Sequence, residues 1–134
     1  MTSQEQGMSA YDALEEFGRL FVEIRDKEIR FCDSIFKDSN SPNTEIARRW
    51  QKIREENGYE AMIEMMIPFI FDHAIMSILE AIEQGKIRFL YTSQTNGIQI
   101  DVSEEGRNNL ALLYKAKDGW LSRYAKQRIV DESL

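Results

Sequence analysis

The sequence predicts a mainly α protein, a bundle of four to five helices around a kinked apolar central helix (59-84), with one β-hairpin (about 87-102) before the last helical region. Two observations support this fold class. Residues 59–84 are the most apolar stretch of the chain, and beyond Gly85 the apolar period changes from about 3.6 to 2. With 134 residues, 43% of them apolar and 30% charged, the chain is expected to form one domain.

The first helix is predicted from about Ser9 to Phe36. Residues 1–8 lack the basic and apolar regions of a secretory signal, so we expect a disordered tail there and a single helical domain over residues 9–134. Within the helix, apolar residues recur at spacings of three and four, except at Glu28. Glu28 is therefore either solvated at the edge of its partner helix or a buried carboxylate that is paired with an arginine or lines a polar pocket.

A short second helix is predicted between two turn signals. Ser41 and Pro42 match an N-cap followed by proline at the first helical position, and Asn57-Gly58 matches a C-terminal signal. The central helix follows directly. Its polar residues change sides at Pro68, which predicts a bend or an interruption there, because proline removes a backbone donor and clashes with the preceding turn.

The central helix is apolar around most of its circumference, so another surface is expected to cover it. We do not expect a membrane span, because residues 59–84 carry several acidic side chains and no basic one. A short chain has difficulty surrounding one long helix, which favours a homodimer through this element. The candidate dimer face consists of Met62, Met66, Ile75 and Ile82.

The hairpin is predicted from alternating apolar residues and from Asn96-Gly97, the strongest two-residue turn signal. Folding the chain there pairs Thr95 with Ile98 and Tyr91 with Val102, and this register places the apolar side chains on one face. Because a two-stranded hairpin is only marginally stable alone, we expect that face to lie on the helices.

The last helical region is expected to run from the N-cap Ser103 to about Ile129, with Asp118-Gly119 as a candidate break. It carries a candidate basic-aromatic face of a kind that contacts nucleic acid or an acidic partner. This face consists of Lys115, Trp120, Arg123 and Lys126.

Residues 86–114 comprise a hairpin with an Asn-Gly tip, the run Ser-Glu-Glu-Gly-Arg and a leucine-rich helix. This segment resembles the wing and following helix of winged-helix regulators. The resemblance implies a nucleic-acid contact through the hairpin and last helix. It does not extend to the preceding helix, which is acidic and apolar where those regulators have a basic recognition helix.

A polar cavity beside Pro68 is a further candidate site, in which carboxylates would bind a small ligand or transfer protons. Its candidate residues are Glu28, Glu64, Asp72 and His73. The alternative interpretations are an ordinary surface or interface role for His73 and a backbone-capping role for Asp72. The sequence contains no Gly-rich phosphate loop, no nucleophile motif and no set of zinc ligands, so no catalytic, cofactor-binding or metal-binding residue is assigned.

Composition guides the choice among these hypotheses. The net charge of −6 disfavours nucleic acid and anionic membranes, and the single Cys32 suggests a reducing, cytoplasmic setting. We therefore expect a non-enzymatic protein-interaction module of the small acidic inhibitor, immunity or regulatory-partner type, with no cofactor. The alternatives are a nucleic-acid-binding regulator and a small-ligand-binding or catalytic helical bundle.

Overall fold

The computed structural model describes residues 9–36 and 45–129. Helices dominate the described chain, and one antiparallel hairpin precedes the last helical region, as the sequence predicts. The predicted tail and the predicted start of the second helix lie outside the described residues. The elements in chain order are α1 (Ala10–Phe36), α2 (Glu45–Glu83), β1 (Leu90–Thr92), β2 (Gln99–Asp101), α3 (Val102–Gly106), α4 (Leu110–Lys115) and α5 (Trp120–Tyr124).

A reciprocal cap begins α1. The Ser9 hydroxyl accepts from the Asp12 N–H at 3.1 Å, and the Asp12 carboxylate accepts from the Ser9 N–H at 3.3 Å. Two N–H groups that the helix itself leaves unpaired thereby gain acceptors. From this cap α1 runs along α2 and contributes Ile35 to the core.

Gly58 divides α2 into a first arm (residues 45–57) and a second arm (residues 59–83). Its backbone has φ 87° and ψ 171°, a conformation that a residue with a Cβ rarely adopts. The predicted junction at Asn57-Gly58 is therefore confirmed. Elsewhere in α2 the described backbone keeps helical dihedrals, so of the two alternatives predicted at Pro68 the interruption is wrong.

Two hydrophobic clusters hold the helices together. The first joins Ile35 of α1, Trp50 of the first arm and Phe69 of the second arm, with 5.2 Å between the Trp50 and Phe69 ring centroids. The second lies at the other end of the second arm, where Ile82 packs with Leu110, which is only 1% exposed. The second arm thus contributes buried residues to both clusters, and α1 packs against both.

By length and composition alone, α2 is long and apolar enough to cross a membrane, a criterion that core helices of soluble proteins also meet. Only 17% of the most apolar 18-residue stretch of this helix is buried within the molecule. A large part of its apolar surface therefore remains open.

The hairpin has a register shifted by two residues from the predicted one, since Tyr91 pairs with Ile100. The turn is longer than two residues: Ser93 N–H donates to the Ile98 carbonyl at 2.8 Å, and Gly97 N–H donates back to the Ser93 carbonyl at 2.9 Å. Gly97 adopts φ 74°, as such a turn requires. Because the shift is even, each side chain stays on its predicted side.

The hairpin projects away from the helices, contrary to the prediction that its apolar face lies on them. Phe89, Tyr91 and Ile98 are 45%, 46% and 60% exposed. The residues flanking the two strands make the contacts with the body instead, since Ile87 and Val102 both belong to the second hydrophobic cluster.

The last helical region consists of three short helices and does not continue to Ile129. Asp101, and not the predicted Ser103, caps α3: its carboxylate accepts from the N–H groups of Ser103 and Glu104. The candidate break at Asp118-Gly119 is confirmed, because it separates α4 from α5. A further break after α3 follows from the left-handed backbone of Arg107 at φ 50°.

Candidate functional site

An exposed apolar stripe along the second arm is the most prominent surface feature of the described chain. Its six members recur at spacings of three and four, which places them on one side of the helix. We call this stripe the α2 face. It consists of Tyr59 (66% exposed), Ile63 (50%), Ile67 (46%), Ile70 (37%), Phe71 (65%) and Ile75 (39%).

The predicted dimer face overlaps the α2 face at one residue, Ile75. Met62 and Met66 pack against the first hydrophobic cluster, and Ile82 is 4% exposed within the second. These three side chains are covered within the chain because α1, the first arm and α4 occupy their sides of the second arm. The exposed α2 face therefore lies on a different side of the second arm from most of the predicted dimer face.

Two exposed carboxylates belong to the same side of the second arm. Glu60 and Glu64 precede Ile67 and Phe71 at spacings of four, three and four, so the four side chains follow one line along the helix. Both glutamates are exposed. The N-terminal end of the α2 face therefore carries two carboxylates together with the Arg54 guanidinium, which lies over the first aromatic ring of the face at 5.7 Å.

A basic segment borders the α2 face further along. Residues 125–128 line a groove of about 470 Å³ together with Ile67, Pro68 and Phe71. Lys126 and Arg128 bring positive charge to this groove. Arg128 also contacts the second arm directly, because its Nε donates to the Glu64 carbonyl at 2.6 Å.

Asp72 lies on another side of the second arm, where it fastens α4. It is 6% exposed, and its Oδ1 accepts from the Tyr114 hydroxyl at 2.7 Å. The Lys115 ammonium lies 3.9 Å from Oδ2. Burial raises the pKa of Tyr114, and the hydrogen bond to Asp72 and the negative charge of Asp72 raise it further. The capping role predicted for Asp72 is therefore replaced by a tertiary contact.

Glu28 faces α2 from the middle of α1. The Ser77 hydroxyl donates to its Oε1, and its buried Oε2 has no hydrogen-bond partner among the described residues. The carboxylate is therefore half-buried at the helix interface, and the structure shows neither an arginine paired with it nor a pocket lined by it among the described residues. Nearby Cys32 has a raised pKa, first because of burial and then because of the negative charges of Glu28 and Asp33.

His73 lies between aromatic rings of the first cluster. Its ring centroid is 4.3 Å from that of Phe69 and 5.1 Å from that of Phe31. This position is a helix interface and not an open surface. Among the described residues, no group of three or more His, Cys, Asp or Glu side chains is placed to hold a metal ion.

The four candidate cavity residues consequently lie in different places. Glu28 and His73 face the α1–α2 interface, Asp72 faces α4, and the Glu64 side chain is exposed. The structure does not bring them to one cavity beside Pro68.

The candidate basic-aromatic residues are also separated. Lys115 is half-buried beside Asp72, and Trp120 packs against the second cluster. Arg123 lies over the Tyr124 ring at 5.0 Å, and Lys126 lines the groove beside Pro68. The four side chains therefore form no continuous face.

Comparisons with family models, with curated proteins and with solved structures found no match for this chain. The α2 face is thus characterised by its own geometry. Sequence reasoning missed most of its members, although their spacing of three and four was visible, because nothing in that spacing tells which side of the helix α1 and α4 cover.

Proposed function

We propose that this chain is a non-enzymatic protein-interaction module that self-associates through the α2 face. The α2 face itself is the observation that carries the proposal. Soluble monomers rarely leave a continuous apolar patch of this kind uncovered, and such patches commonly mark contacts with other proteins. Tyr59 and Phe71, the two aromatic members, are also the most exposed, at 66% and 65%.

The mixed character of the face favours a protein partner over lipid. Glu60 and Glu64 follow the same line as Ile67 and Phe71, and burying such carboxylates in hydrocarbon costs several kcal/mol. A protein surface can place basic groups opposite them. An aromatic and aliphatic centre with charged residues at its edge is the usual composition of a protein–protein interface.

The net charge of −6 fits a small acidic inhibitor, immunity protein or regulatory partner, which would act by occupying the surface of a basic protein. A cytoplasmic setting belongs to the same proposal, because Cys32 is the only cysteine of the chain. No bound cofactor is required by this mode of action.

A nucleic-acid-binding regulator is the second candidate, and the exposed hairpin is the observation that favours it. Phe89 and Tyr91 are available on the hairpin in the manner of a wing. Of the candidate basic-aromatic residues, Arg123 and Lys126 are exposed. Lys115 lies beside the buried Asp72, and Trp120 packs against the second cluster. This function would require binding that weakens with salt and with Arg123→Glu.

The decisive experiment measures solution mass by light scattering over a range of concentrations. We expect the wild type to be a dimer and Phe71→Glu to be a folded monomer, because Phe71 is 65% exposed and its replacement leaves the core intact. Placing a carboxylate in the interface of each copy raises the dissociation constant by at least about a hundredfold.

A matched control is Val22→Glu on α1, where the replaced side chain is 54% exposed but lies outside the α2 face. This variant should remain dimeric. A wild type that is monomeric at every concentration, or a Val22→Glu variant that dissociates as Phe71→Glu does, contradicts the proposal. Circular dichroism confirms that each variant is folded.

A further inference from the structure

We infer that two copies pack their α2 faces antiparallel about a two-fold axis at Ile67, so that the acidic end of one face meets the basic groove of the other. This inference rests on the self-association proposed above and specifies its geometry. The occupant of the α2 face is then a second copy of the same chain.

The spacing of the apolar residues is nearly symmetric about Ile67. An antiparallel pair centred there sets Ile63 against Phe71 and Tyr59 against Ile75, so that each aromatic ring meets an isoleucine. Ridges of side chains at spacings of three on one helix fit grooves at spacings of four on the other at a crossing angle of about 20°, which keeps two helices in contact along their length. Residues 59–75 span about 25 Å, which suits a helix-pair contact.

The charges along the second arm decide the direction of the pair. Residues 59–84 contain no lysine or arginine, and Glu60 and Glu64 lie at the N-terminal end of the exposed face. Parallel packing would set these two carboxylates against their own copies in the partner. Like charges in contact across a helix pair are destabilising, so parallel packing is disfavoured.

Antiparallel packing brings the same carboxylates to a basic region. It sets Glu64 near residue 70 of the partner, and the groove beside that position, at Ile67 and Phe71, is lined by Lys126 and Arg128. The symmetry of the pair repeats this contact twice. In this arrangement Glu64 of one copy meets Lys126 of the other, beside Arg128, whose Nε already donates to the Glu64 carbonyl of its own chain.

Disulfide cross-linking tests the direction. Cys32→Ser provides a background without the native thiol, since Cys32 is the only cysteine. In that background, Ile63→Cys and Phe71→Cys should form a covalent dimer under oxidised glutathione only when the two variants are mixed. Ile67→Cys should form one alone, and Val22→Cys on α1 should form none.

Charge exchange tests the contact between the glutamates and the groove. Glu64→Lys and Lys126→Glu should each raise the dissociation constant of the dimer by about tenfold, because each change creates two repulsive contacts. The double variant Glu64→Lys with Lys126→Glu should recover most of the loss. Lys117→Glu, at an exposed position outside the groove lining, serves as the matched control and should change little.

The outcomes separate the two proposals. A monomeric wild type overturns the self-association and the antiparallel geometry together. A dimer in which Ile63→Cys cross-links with itself is parallel and overturns the geometry alone, as does a double charge variant that is weaker than either single variant. Association with neutral lipid vesicles by a monomeric wild type would assign the α2 face to a membrane surface and overturn both.

Discussion

Arg128 supplies the hydrogen bond that Pro68 takes away from Glu64. In a helix the carbonyl of residue 64 accepts from the N–H of residue 68, which proline lacks. The Arg128 Nε donates to that carbonyl at 2.6 Å instead. The contact gives this carbonyl a donor where α2 passes Pro68 with helical dihedrals, and it joins the C-terminal segment to the second arm.

Arg128→Ala should therefore lower the free energy of unfolding by about 0.5–1.5 kcal/mol, the net value of one hydrogen bond. In a Pro68→Ala background the same change should cost much less, because residue 68 then donates to Glu64 itself. Urea unfolding of the two single variants and the double variant measures this coupling. Gln127→Ala is the control, and equal costs of Arg128→Ala in both backgrounds would contradict the relationship.

Tyr114→Phe should destabilise the protein near neutral pH by about 1–3 kcal/mol, because the buried Asp72 loses a hydrogen-bond donor. Thermal or urea unfolding at pH 7 measures the loss. Tyr124→Phe is a suitable control, since Tyr124 is 68% exposed. A Tyr114→Phe variant as stable as the wild type would mean that Asp72 does not depend on this donor.

The same tyrosine predicts a dependence on alkaline pH. The pKa of Tyr114 is raised in the folded chain, so its stabilising contribution is complete below the ordinary tyrosine pKa of about 10 and is lost as pH rises above it. The wild type should therefore lose more stability than Tyr114→Phe between about pH 10 and 11. Identical slopes of stability against pH for the two proteins would contradict the assignment.

Cys32 should react slowly with iodoacetamide at pH 8, because its raised pKa keeps the thiol protonated. Glu28→Gln removes a negative charge that contributes to this shift, while the amide oxygen can still accept from Ser77. The alkylation rate, followed by mass spectrometry, should increase in this variant. Glu23→Gln, on the same helix but not among the charges that raise the pKa of Cys32, should leave the rate unchanged. A slower reaction of Glu28→Gln would contradict the prediction.

Glu83 serves as the cap of α4 from a different helix. The Ala111 N–H donates to its Oε1 at 2.6 Å, whereas the residue in the N-cap position, Asn109, makes no side-chain cap. Glu83→Ala should therefore cost about 0.5–2 kcal/mol in urea unfolding, while Asn109→Ala should be nearly neutral. The reverse order of the two costs would show that α4 is capped locally.

Elements defined by neighbouring residues were predictable from the sequence. The start of α1 at Ser9, the junction at Gly58 and the existence of the hairpin all depend on contacts within a few positions. The hairpin register was not predictable from the Asn-Gly signal. The Ser93 hydroxyl accepts from the N–H of Thr95 and of Asn96, and it supports a longer turn than Asn-Gly alone predicts.

The candidate site depended on tertiary packing and was predictable only in part. The polar residues of the second arm change sides at Pro68 although the backbone there stays helical, and one of them, Ser77, donates to Glu28 of α1. Likewise, Met62 and Met66 are as apolar as Ile63 and Ile67, and only the placement of α1 and the first arm decides which pair is covered. Helical periodicity defines a stripe but not its partner.

Gly58 has a consequence for how the chain can exchange parts with its neighbours. If the backbone at this residue became helical, the 39 residues of α2 would form one rod of about 58 Å, and the first arm could no longer fold back onto Phe69. Trp50 would then have to find the same pocket in another molecule, which is three-dimensional domain swapping at a single hinge. The conformation of one glycine thus determines whether Trp50 completes the core of its own chain or that of a neighbour.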